Sequence, residues 1–384
     1  MARLLHTADL HLDTPFTGSG LEREQAMQRR ADLLATFRQI TELARQRQVD
    51  MLLIAGDLFE EDYVGAATLS RVFSALAELD PLPVLVSPGN HDPLHPASPY
   101  VTEELPPNLF LFREDRLESF EFPELGVAVH GLAFRARHEK RELLRGLRLE
   151  GELAVNILLC HGAVYEGEPG LAADYNPVRP DDLRGCGADY CALGHYHRAI
   201  EVRRDERGLR AAYCGSPEPL RYGQTGDKVG GALIIDIDTE SRRLADEMVV
   251  VRRRSYHDLE VDLSGCREQA DADSRIAAAL ADRSLAGGLV DLVATGTVPA
   301  GLILNPIDFA DAAAHLFAMR LRDRTRPDYD LEALAAEETA RGAFCRLLLR
   351  RLEKAEGEEK EIAERALWLG LAAFDGQDVE EFPS

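Results

Sequence analysis

Five short apolar segments of the chain each end in aspartate, asparagine or histidine. Helical patterns at 21–48 and 64–79 separate the first three of these segments. An alternation of strand and helix predicts βαβ units and a mostly parallel sheet, in which the carboxyl ends of the strands line the ligand crevice. We therefore expect the five ends to meet in space. They are Asp9-Leu10-His11, Gly56-Asp57, Gly89-Asn90-His91-Asp92, His161-Gly162 and Gly194-His195-Tyr196-His197.

Each of these polar groups has a plain structural explanation when it is considered alone. An aspartate such as Asp57 after a buried strand is a common helix N-cap, and a lone histidine at a strand end, such as His161, is more often structural than a ligand. The pair His195 and His197 is more specific. Two imidazoles two residues apart on an extended segment point the same way and make a natural pair of metal ligands.

Together the five ends supply seven oxygen and nitrogen donors and no thiolate. Such a set is unlike a structural zinc cage, which favours cysteine and closes at four ligands. It suits two hard or borderline ions such as Mn²⁺ or Fe²⁺, bridged by Asp57. Two ions about 3.5–4 Å apart clamp a phosphoryl group and lower the pKa of a bound water. The predicted ligands are Asp9, His11, Asp57, Asn90, His161, His195 and His197.

The remaining patterns predict an α/β protein in three parts. Residues 1–252 are expected to form a two-sheet sandwich flanked by helices, with a charged helix at 137–147. A small β-α-β capping domain is expected at 253–304, and a helical C-terminal segment at 305–384. Leucines in that segment favour an intramolecular helix pair over docking in a partner's groove, and Trp368 is an apolar anchor in either case. These leucines are Leu347, Leu348, Leu349 and Leu352.

Composition bounds the partners and the location. The formal net charge of −23 is evidence against a long DNA-binding surface made of protein side chains alone. It is weaker evidence against a site where bound cations hold a phosphate. The six cysteines include no CxxC pair, which indicates reduced thiols. We find no segment that resembles a signal peptide and no apolar run of about 18 residues, so a cytoplasmic protein without membrane contact is expected.

The five motifs, in this order, resemble the signature of the calcineurin-like metallophosphoesterase superfamily. The match covers roughly the first 240 residues. Within that superfamily, the chain is most similar to DNA-repair nucleases of the SbcD type, through "HTADLHLDTPF" at 6–16, "YCGSPEPLRYGQ" at 213–224 and the expected cap after 252.

The resemblance implies how the residues divide. One metal ion would take Asp9, His11, Asp57 and His197, and the other Asp57, Asn90, His161 and His195. Water activated by the two ions would attack the phosphorus, and His91 would protonate the departing 3′ oxygen. Asp92 would support the ligands or stabilise the turn.

The resemblance also implies an activity and partners. They are Mn²⁺-dependent cleavage of DNA, with Fe²⁺ or Mg²⁺ as alternative metals, exonucleolytic in the 3′–5′ direction on duplexes and endonucleolytic on single strands or hairpins. A nuclease homodimer and an SMC-like ATPase subunit, bound through the C-terminal helices, are implied as well.

One departure from the family stands beside the predicted bridging ligand. Some relatives carry a histidine that faces DNA three residues after that aspartate, where this chain has Glu60, followed by Glu61 and Asp62. Three carboxylates at a phosphate-binding mouth would repel a polyanion unless they face away. Duplex binding through this loop is therefore in question.

Arginine-rich stretches offer candidate DNA contacts, although each is also explained as a solvated surface. The triplet at the expected domain junction is the first choice, and two residues after the Gly-Ser-Pro turn are weighed equally between the site mouth and packing. These candidates are Arg252, Arg253, Arg254, Arg221 and Tyr222.

Two alternatives to a DNA nuclease remain open. One is an enzyme of the same fold that acts on a small phosphodiester or phosphomonoester, and the other is a catalytically idle, metal-bearing scaffold for an SMC-like ATPase. The expected cap and helical segment favour the nuclease over the first, and the intact motif residues, including His91, disfavour the second.

Overall fold

A computed structural model describes residues 1–149, 151, 153–224, 229–299 and 301–374. The chain divides into two compact units, Met1–Tyr256 and His257–Ser384. In the first unit, the helices are α1 (Arg23–Gln46), α2 (Ala66–Ala77), α3 (Pro99–Thr102) and α4 (Pro180–Gly185). Its strands are β1 (Ala2–Thr7), β2 (Met51–Ile54), β3 (Val84–Val86), β4 (Leu109–Leu111), β5 (Glu118–Phe122), β6 (Val127–Gly131), β7 (Val155–His161), β8 (Ala163–Val164), β9 (Pro177–Val178), β10 (Tyr190–Gly194), β11 (Ile200–Asp205), β12 (Gly208–Tyr213), β13 (Ala232–Ile237) and β14 (Leu244–Val249).

The first unit is a sandwich of two six-stranded mixed sheets, which confirms the predicted fold class. One sheet has the strand order β14-β13-β1-β2-β3-β4, and the other has β11-β12-β10-β7-β6-β5. The strands β1, β2, β3 and β4 run parallel, as do β6, β7, β10 and β12. Parallel neighbours bring the carboxyl ends of β1, β2 and β3 to one edge, and those of β7 and β10 to one edge of the other sheet.

Alternating side chains of the central strands fill two separate layers of core. In β2, Leu52 and Ile54 pack on the side of α1 and α2, whereas Met51 and Leu53 face the second sheet. Successive side chains of a strand point to opposite faces, so a strand covered on both faces is apolar throughout. This explains why β2 is an unbroken aliphatic run in the sequence.

A buried ion-pair network ties α1 to the loop that follows β12. Arg29 lies within the fold and its Nη1 donates to Glu218 Oε1 at 2.5 Å. The other carboxylate oxygen of Glu218 accepts hydrogen bonds from Thr36 Oγ1 and from the backbone N–H of Arg253. Arg254 Nε donates to Asp32 Oδ2 at 2.6 Å. The junction residues proposed as DNA contacts therefore include one guanidinium engaged in an internal ion pair.

The second unit is a smaller α/β arrangement. Its three-stranded sheet has the order β15 (Tyr256–Asp262), β16 (Leu289–Thr295) and β18 (Ala318–Asp323), and α5 (Gln269–Leu280) packs on it through Ala272, Ile276 and Leu280. The elements are β15 (Tyr256–Asp262), α5 (Gln269–Leu280), β16 (Leu289–Thr295), β17 (Thr297–Pro299), α6 (Ala310–Ala313), β18 (Ala318–Asp323), β19 (Arg326–Asp328), α7 (Leu331–Ala336), α8 (Ala340–Leu352) and α9 (Gly357–Phe374).

Two predicted helices are wrong. The helical character expected throughout 305–384 fails at 318–328, where β18 pairs in parallel with β16 and β19 pairs with β17. Arg320 and Arg322, two residues apart on one face of β18, both pair with the buried Asp291 of β16, at 2.6 and 2.5 Å. That spacing serves a strand and not a helix.

The charged segment 137–147 also forms turns and no helix. Its cations pair with carboxylates of distant segments: Arg137 with Asp62 at 2.6 Å, and Lys140 with Asp174 at 3.0 Å. Arg145 still pairs locally with Glu142 at 3.1 Å, but one local pair contributes only about 0.2–0.5 kcal/mol to a helix.

The C-terminal helices pack against one another through apolar side chains. Leu348 is buried, and Leu349 and Leu352 pack against the same cluster, whereas Leu347 is 65% exposed. Trp368 stacks on Tyr329 with ring centroids 5.9 Å apart. Among the described residues, no helix is both long and apolar enough to cross a membrane.

Candidate metal centre

Asp57 lies between two groups of donors at the meeting point of the strand ends. Its Oδ2 atom is 3.6 Å from His11 Nε2 on one side and 3.4 Å from His161 Nε2 on the other. All three side chains are buried. One carboxylate oxygen is therefore shared between a donor from the β1 end and a donor from the β7 end.

The remaining predicted ligands complete the two groups. His11 Nε2 and His197 Nε2 are 3.1 Å apart, and Asp9 lies within 4.8 Å of both. On the other side, Asn90 Oδ1 is 3.0 Å from His161 Nε2 and 3.2 Å from His195 Nδ1. The structure thus brings all seven predicted ligands together, although they extend from residue 9 to residue 197.

Four of these residues have a left-handed backbone conformation, which residues other than glycine rarely adopt. The φ angles are 53° at Asp9, 46° at His11, 52° at Asp57 and 119° at His195. Such conformations each cost about 1–3 kcal/mol and cluster at functional sites. At Asp9 and His11 they let one short segment after β1 direct two side chains into the same small volume.

Two glycines allow the backbones to approach closely beneath the donors. A Cβ on Gly89 would collide with Oδ1 of Asp57, and a Cβ on Gly194 would collide with the carbonyl oxygen of Ala55. The same carbonyl accepts a hydrogen bond from His161 Nδ1 at 2.9 Å. The turn after β3 and the end of β10 can therefore contact the loop after β2 only without side chains at these positions.

The outward nitrogens of the histidines are held by hydrogen bonds. His11 Nδ1 pairs with Glu60 Oε1 at 2.8 Å, His161 Nδ1 with the Ala55 carbonyl, and His197 Nδ1 with the Gln224 amide at 3.1 Å. At His11 and His161 the partner is an acceptor, the kind that fixes the ring orientation of metal-binding histidines. At His197 the NH2 group of Gln224 faces Nδ1, because the Gln224 oxygen accepts from the backbone N–H groups of Leu220 and Arg221. For His11 and His161, proton donation from Nδ1 leaves the Nε2 lone pair directed at Asp57.

The electrostatics of the cluster suit bound cations. Burial raises the pKa of Asp9 to about 6 and lowers that of His195 to about 3. Burial also lowers the pKa of His197 well below its ordinary value. Burial acts to raise the pKa of Asp57, but the charges of His161 and His11 lower it well below its ordinary value. Burial acts to lower the pKa of His161, but the charge of Asp57 raises it to about 9. Oxygen and imidazole donors without thiolate fit Mn²⁺, Fe²⁺ or Mg²⁺.

His91 stands at the open side of the cluster. Its backbone N–H donates to Asp57 Oδ1 at 2.8 Å, its Nδ1 pairs with Glu60 Oε2 at 3.0 Å, and its side chain is 43% exposed. Burial acts to lower the pKa of His91, but the Glu60 hydrogen bond and the Asp57 charge outweigh it and raise the pKa to about 9. His91 also lies within 4.8 Å of His11 and Asp57 donors, so geometry alone would allow it to act as a ligand.

The three carboxylates that raised doubt about DNA binding are turned inward or paired. Glu60 bridges His11 and His91, Glu61 pairs with His95 at 2.8 Å, and Asp62 pairs with Arg137 at 2.6 Å. Burial acts to raise the pKa of Glu60, but the hydrogen bonds from both histidines lower it overall to about 2. The sequence placed Glu60 next to a ligand but held no signal that it would bind two rings.

Substitution of Glu60 by glutamine tests this bridge. The two rings bind different oxygens of Glu60, and glutamine replaces one of these oxygens by an NH2 donor, so in this geometry it can accept from only one ring. We expect the affinity for Mn²⁺, measured by titration calorimetry, to fall by about 10–100-fold, as for other groups that orient metal ligands. Glu61→Gln is the matched control, because Glu61 binds His95 and Arg137 instead. Equal affinities in the two variants would show that Glu60 does not orient the site.

Asp92 is a buried hub beneath the donors. Its Oδ1 accepts hydrogen bonds from the N–H of Asp57 at 3.0 Å and of Gly89 at 2.8 Å. Its Oδ2 accepts from the N–H of Leu58 at 2.8 Å and from the Tyr100 hydroxyl at 2.7 Å. Burial and the charge of Asp57 raise its pKa. Asp92 therefore joins the loop after β2 to the turn after β3.

A cavity of about 730 Å³ opens beside the cluster. Asp57, Asn90 and His91 form part of its wall, and Arg221 and Tyr222, two of the proposed substrate contacts, also line it. The other proposed contacts, Arg252, Arg253 and Arg254, do not line this cavity. Arg198 lines it as well and was not predicted; its position directly after the His195-Tyr196-His197 motif was the available signal.

Comparison with known proteins agrees with this geometry. The sequence model for the family described as calcineurin-like phosphoesterase matches residues 2–199, which include all five strand-end motifs. The chain belongs to the calcineurin-like phosphoesterase family. The family resemblance expected from the five motifs is therefore confirmed, and the divalent-metal chemistry of the family agrees with the donor groups around Asp57.

Named relatives of this phosphoesterase include a nuclease subunit and a DNA-repair protein. It is 30% identical over 231 residues to the uncharacterized metallophosphoesterase YhaO of Bacillus subtilis, covering 58% of this chain and 55% of that protein. It is 29% identical over 258 residues to the DNA double-strand break repair protein Mre11 of Methanopyrus kandleri, covering 62% and 54%. A subunit of the nuclease SbcCD from Bacillus subtilis is 29% identical over 266 residues, covering 58% and 63%. The alignment with the first two relatives spans about half of their length.

Proposed function

We propose that this phosphoesterase is a metal-dependent DNA nuclease that hydrolyses phosphodiester bonds. The observation that carries the proposal is the position of Asp57 Oδ2, 3.6 Å from His11 Nε2 and 3.4 Å from His161 Nε2, at the wall of an open cavity. A carboxylate shared in this way divides the seven donors into two groups, and both groups reach the cavity, one through His197 and the other through Asn90 and His195. The sites are adjacent enough for both to serve one phosphate group.

The donors divide between two divalent ions. Asp9, His11, Asp57 and His197 would hold one ion, and Asp57, Asn90, His161 and His195 the other. Mn²⁺ is the proposed metal because it accepts mixed carboxylate, amide and imidazole ligands. Two bound ions would neutralise the charge of a phosphate and supply an acidified water at neutral pH.

His91 is proposed as the proton donor to the leaving oxygen. Glu60 engages Nδ1, which leaves Nε2 as the ring atom available to a substrate in the cavity. Glu60 holds the ring, and the hydrogen bond from the backbone N–H to Asp57 Oδ1 holds the backbone of the same residue. A positioned imidazole can give up a proton as the phosphorus–oxygen bond breaks, which is the ordinary work of a general acid.

DNA is proposed as the substrate because the named relatives include a DNA double-strand break repair protein and an SbcCD nuclease subunit. Glu60, Glu61 and Asp62 do not stand against it, since each is paired with a histidine or an arginine. By the same similarity, we propose 3′–5′ exonuclease and single-strand endonuclease action, a homodimer and an SMC-like ATPase partner. The partner would bind through the C-terminal helices.

An Mn²⁺-titrated assay separates these proposals from their alternatives. Labelled duplex, single-stranded and hairpin DNA would be compared with bis(p-nitrophenyl) phosphate, and Asp57→Ala would serve as the inactive control. Cleavage of DNA that depends on Mn²⁺ and is absent from Asp57→Ala is the expected result. Cleavage of the chromogen alone would replace the nuclease with a small-substrate phosphodiesterase. Inertness on every substrate, with metal bound, would indicate a scaffold.

A further inference from the structure

Two arginines line the cavity next to the predicted ligands. Arg198 directly follows His197, and Arg221 lies in the loop after β12. That loop is joined to His197 by Gln224, which accepts from the N–H of Arg221 at 3.2 Å and pairs with His197 Nδ1 at 3.1 Å. Arg198 is therefore next to a predicted metal ligand in the chain, and the backbone of Arg221 is linked to the same histidine through Gln224.

These guanidinium groups differ from the other arginines around the centre. Arg137 pairs with Asp62 and Glu61, and Arg179 pairs with Glu142. Arg198, in contrast, donates from Nη2 to the carbonyl oxygen of Gly223 at 3.1 Å, and neither Arg198 nor Arg221 pairs with a carboxylate of the described residues. Their positive charges therefore act on the cavity in a chain whose formal net charge is −23.

The position of the two charges indicates what they bind. A scissile phosphate would be held at the Asp57 cluster, where the divalent ions supply the positive charge. Arg198 and Arg221 lie on the wall formed by His195, His197 and the loop after β12, beside that cluster. Arginine binds phosphate oxygens through paired N–H donors. A second anionic group, joined to the first, is the ligand that this arrangement fits.

We propose that Arg198 and Arg221 bind the phosphate next to the scissile one, so that the site selects oligonucleotides over isolated phosphoesters. The inference rests on the proposed nuclease function and specifies how its substrate is recognised. A phosphate contact of this kind sets the register of the strand without reading the bases.

The test uses short single-stranded oligonucleotides with one cleavable bond. The substrates differ in the phosphate next to the cleavable bond, on its 5′ side or on its 3′ side. That phosphate is either natural or a neutral methylphosphonate. For the natural protein, we expect neutralisation on one side to lower kcat/KM by at least about tenfold, the effect of losing one good charge-assisted contact. In Arg198→Gln/Arg221→Gln, the natural substrate should already be cleaved at that lower rate, and neutralisation should change it by less than about twofold.

Two further variants and a second substrate make the outcome decisive. Arg198→Lys keeps the charge and should retain part of the sensitivity to neutralisation. Arg135→Gln, which removes an exposed arginine outside the cavity, should behave like the natural protein. Equal sensitivity to neutralisation in the double variant and the natural protein would overturn the inference while leaving the nuclease intact. If the natural protein cleaves bis(p-nitrophenyl) phosphate but no oligonucleotide, the nuclease function fails and the inference with it.

Discussion

Replacement of His91 by serine is expected to lower DNA cleavage by about 10²–10⁴-fold while both metal ions remain bound. The loss is that of a positioned general acid, because serine cannot deliver a proton from the place of Nε2. The backbone N–H of residue 91 still reaches Asp57 Oδ1, since that hydrogen bond does not involve the side chain. Turnover of DNA and the metal content of the purified variant, by elemental analysis, are the two measurements.

His95→Ser is the matched control for His91→Ser. His95 also pairs with a carboxylate, Glu61, at 2.8 Å, but it does not line the cavity. This variant should keep its turnover. His91 lies near donors of His11 and Asp57, so its position alone would also suit a metal ligand. The metal content of His91→Ser distinguishes a ligand from a proton donor. Loss of one ion from His91→Ser would make His91 a ligand and contradict its assignment as proton donor.

Asp92→Ala is expected to destabilise the metal-free protein by about 3–5 kcal/mol. The substitution removes the acceptor for the N–H groups of Asp57, Leu58 and Gly89 and for the Tyr100 hydroxyl, all within a buried region. Each buried donor left without a partner costs about 1–3 kcal/mol, and entry of water would recover part of the sum. Urea unfolding in the presence of a chelator measures the free energy without contribution from bound metal.

Tyr100→Phe measures how much one hydrogen bond of Asp92 contributes to the total loss. It removes only the hydroxyl that donates to Asp92 and should cost about 1 kcal/mol. A loss of stability in Asp92→Ala no larger than that in Tyr100→Phe would mean that the backbone N–H groups find other partners. In that case, Asp92 would not be what holds the two loops together.

Much of the first unit was predictable because burial on both faces leaves a distinctive sequence. The aliphatic runs of β2 and β7 and the amphipathic α1 and α2 each follow from periodicity. Helix was wrongly predicted in two segments whose arginines and lysines pair with carboxylates far away in the chain. Arg320 and Arg322 form a strand because Asp291 lies opposite them, and Asp291 is 29 residues from Arg320 along the chain. No local pattern contains that information.

The same division applies to the metal centre. The seven donors could be predicted from their positions at strand ends, since parallel strands bring those ends together. The orientation of Glu60 could not be predicted, because it depends on the positions of His11 and His91, which lie on different loops. Asp92 was expected to support the turn, but its bonds to the loop after β2 follow from the pairing of β2 with β3. Contacts of this kind require the assembled fold.

The left-handed backbone at Asp9, His11, Asp57 and His195 bears on how the protein can be engineered. At such positions glycine is the residue that relieves conformational cost. Directed evolution for heat resistance in a metal-free buffer would therefore reward glycine at the proposed metal ligands, and would yield variants that are more stable but inactive. A useful selection would include the metal ion and a phosphodiester substrate at every round, so that the energy regained on binding outweighs that reward.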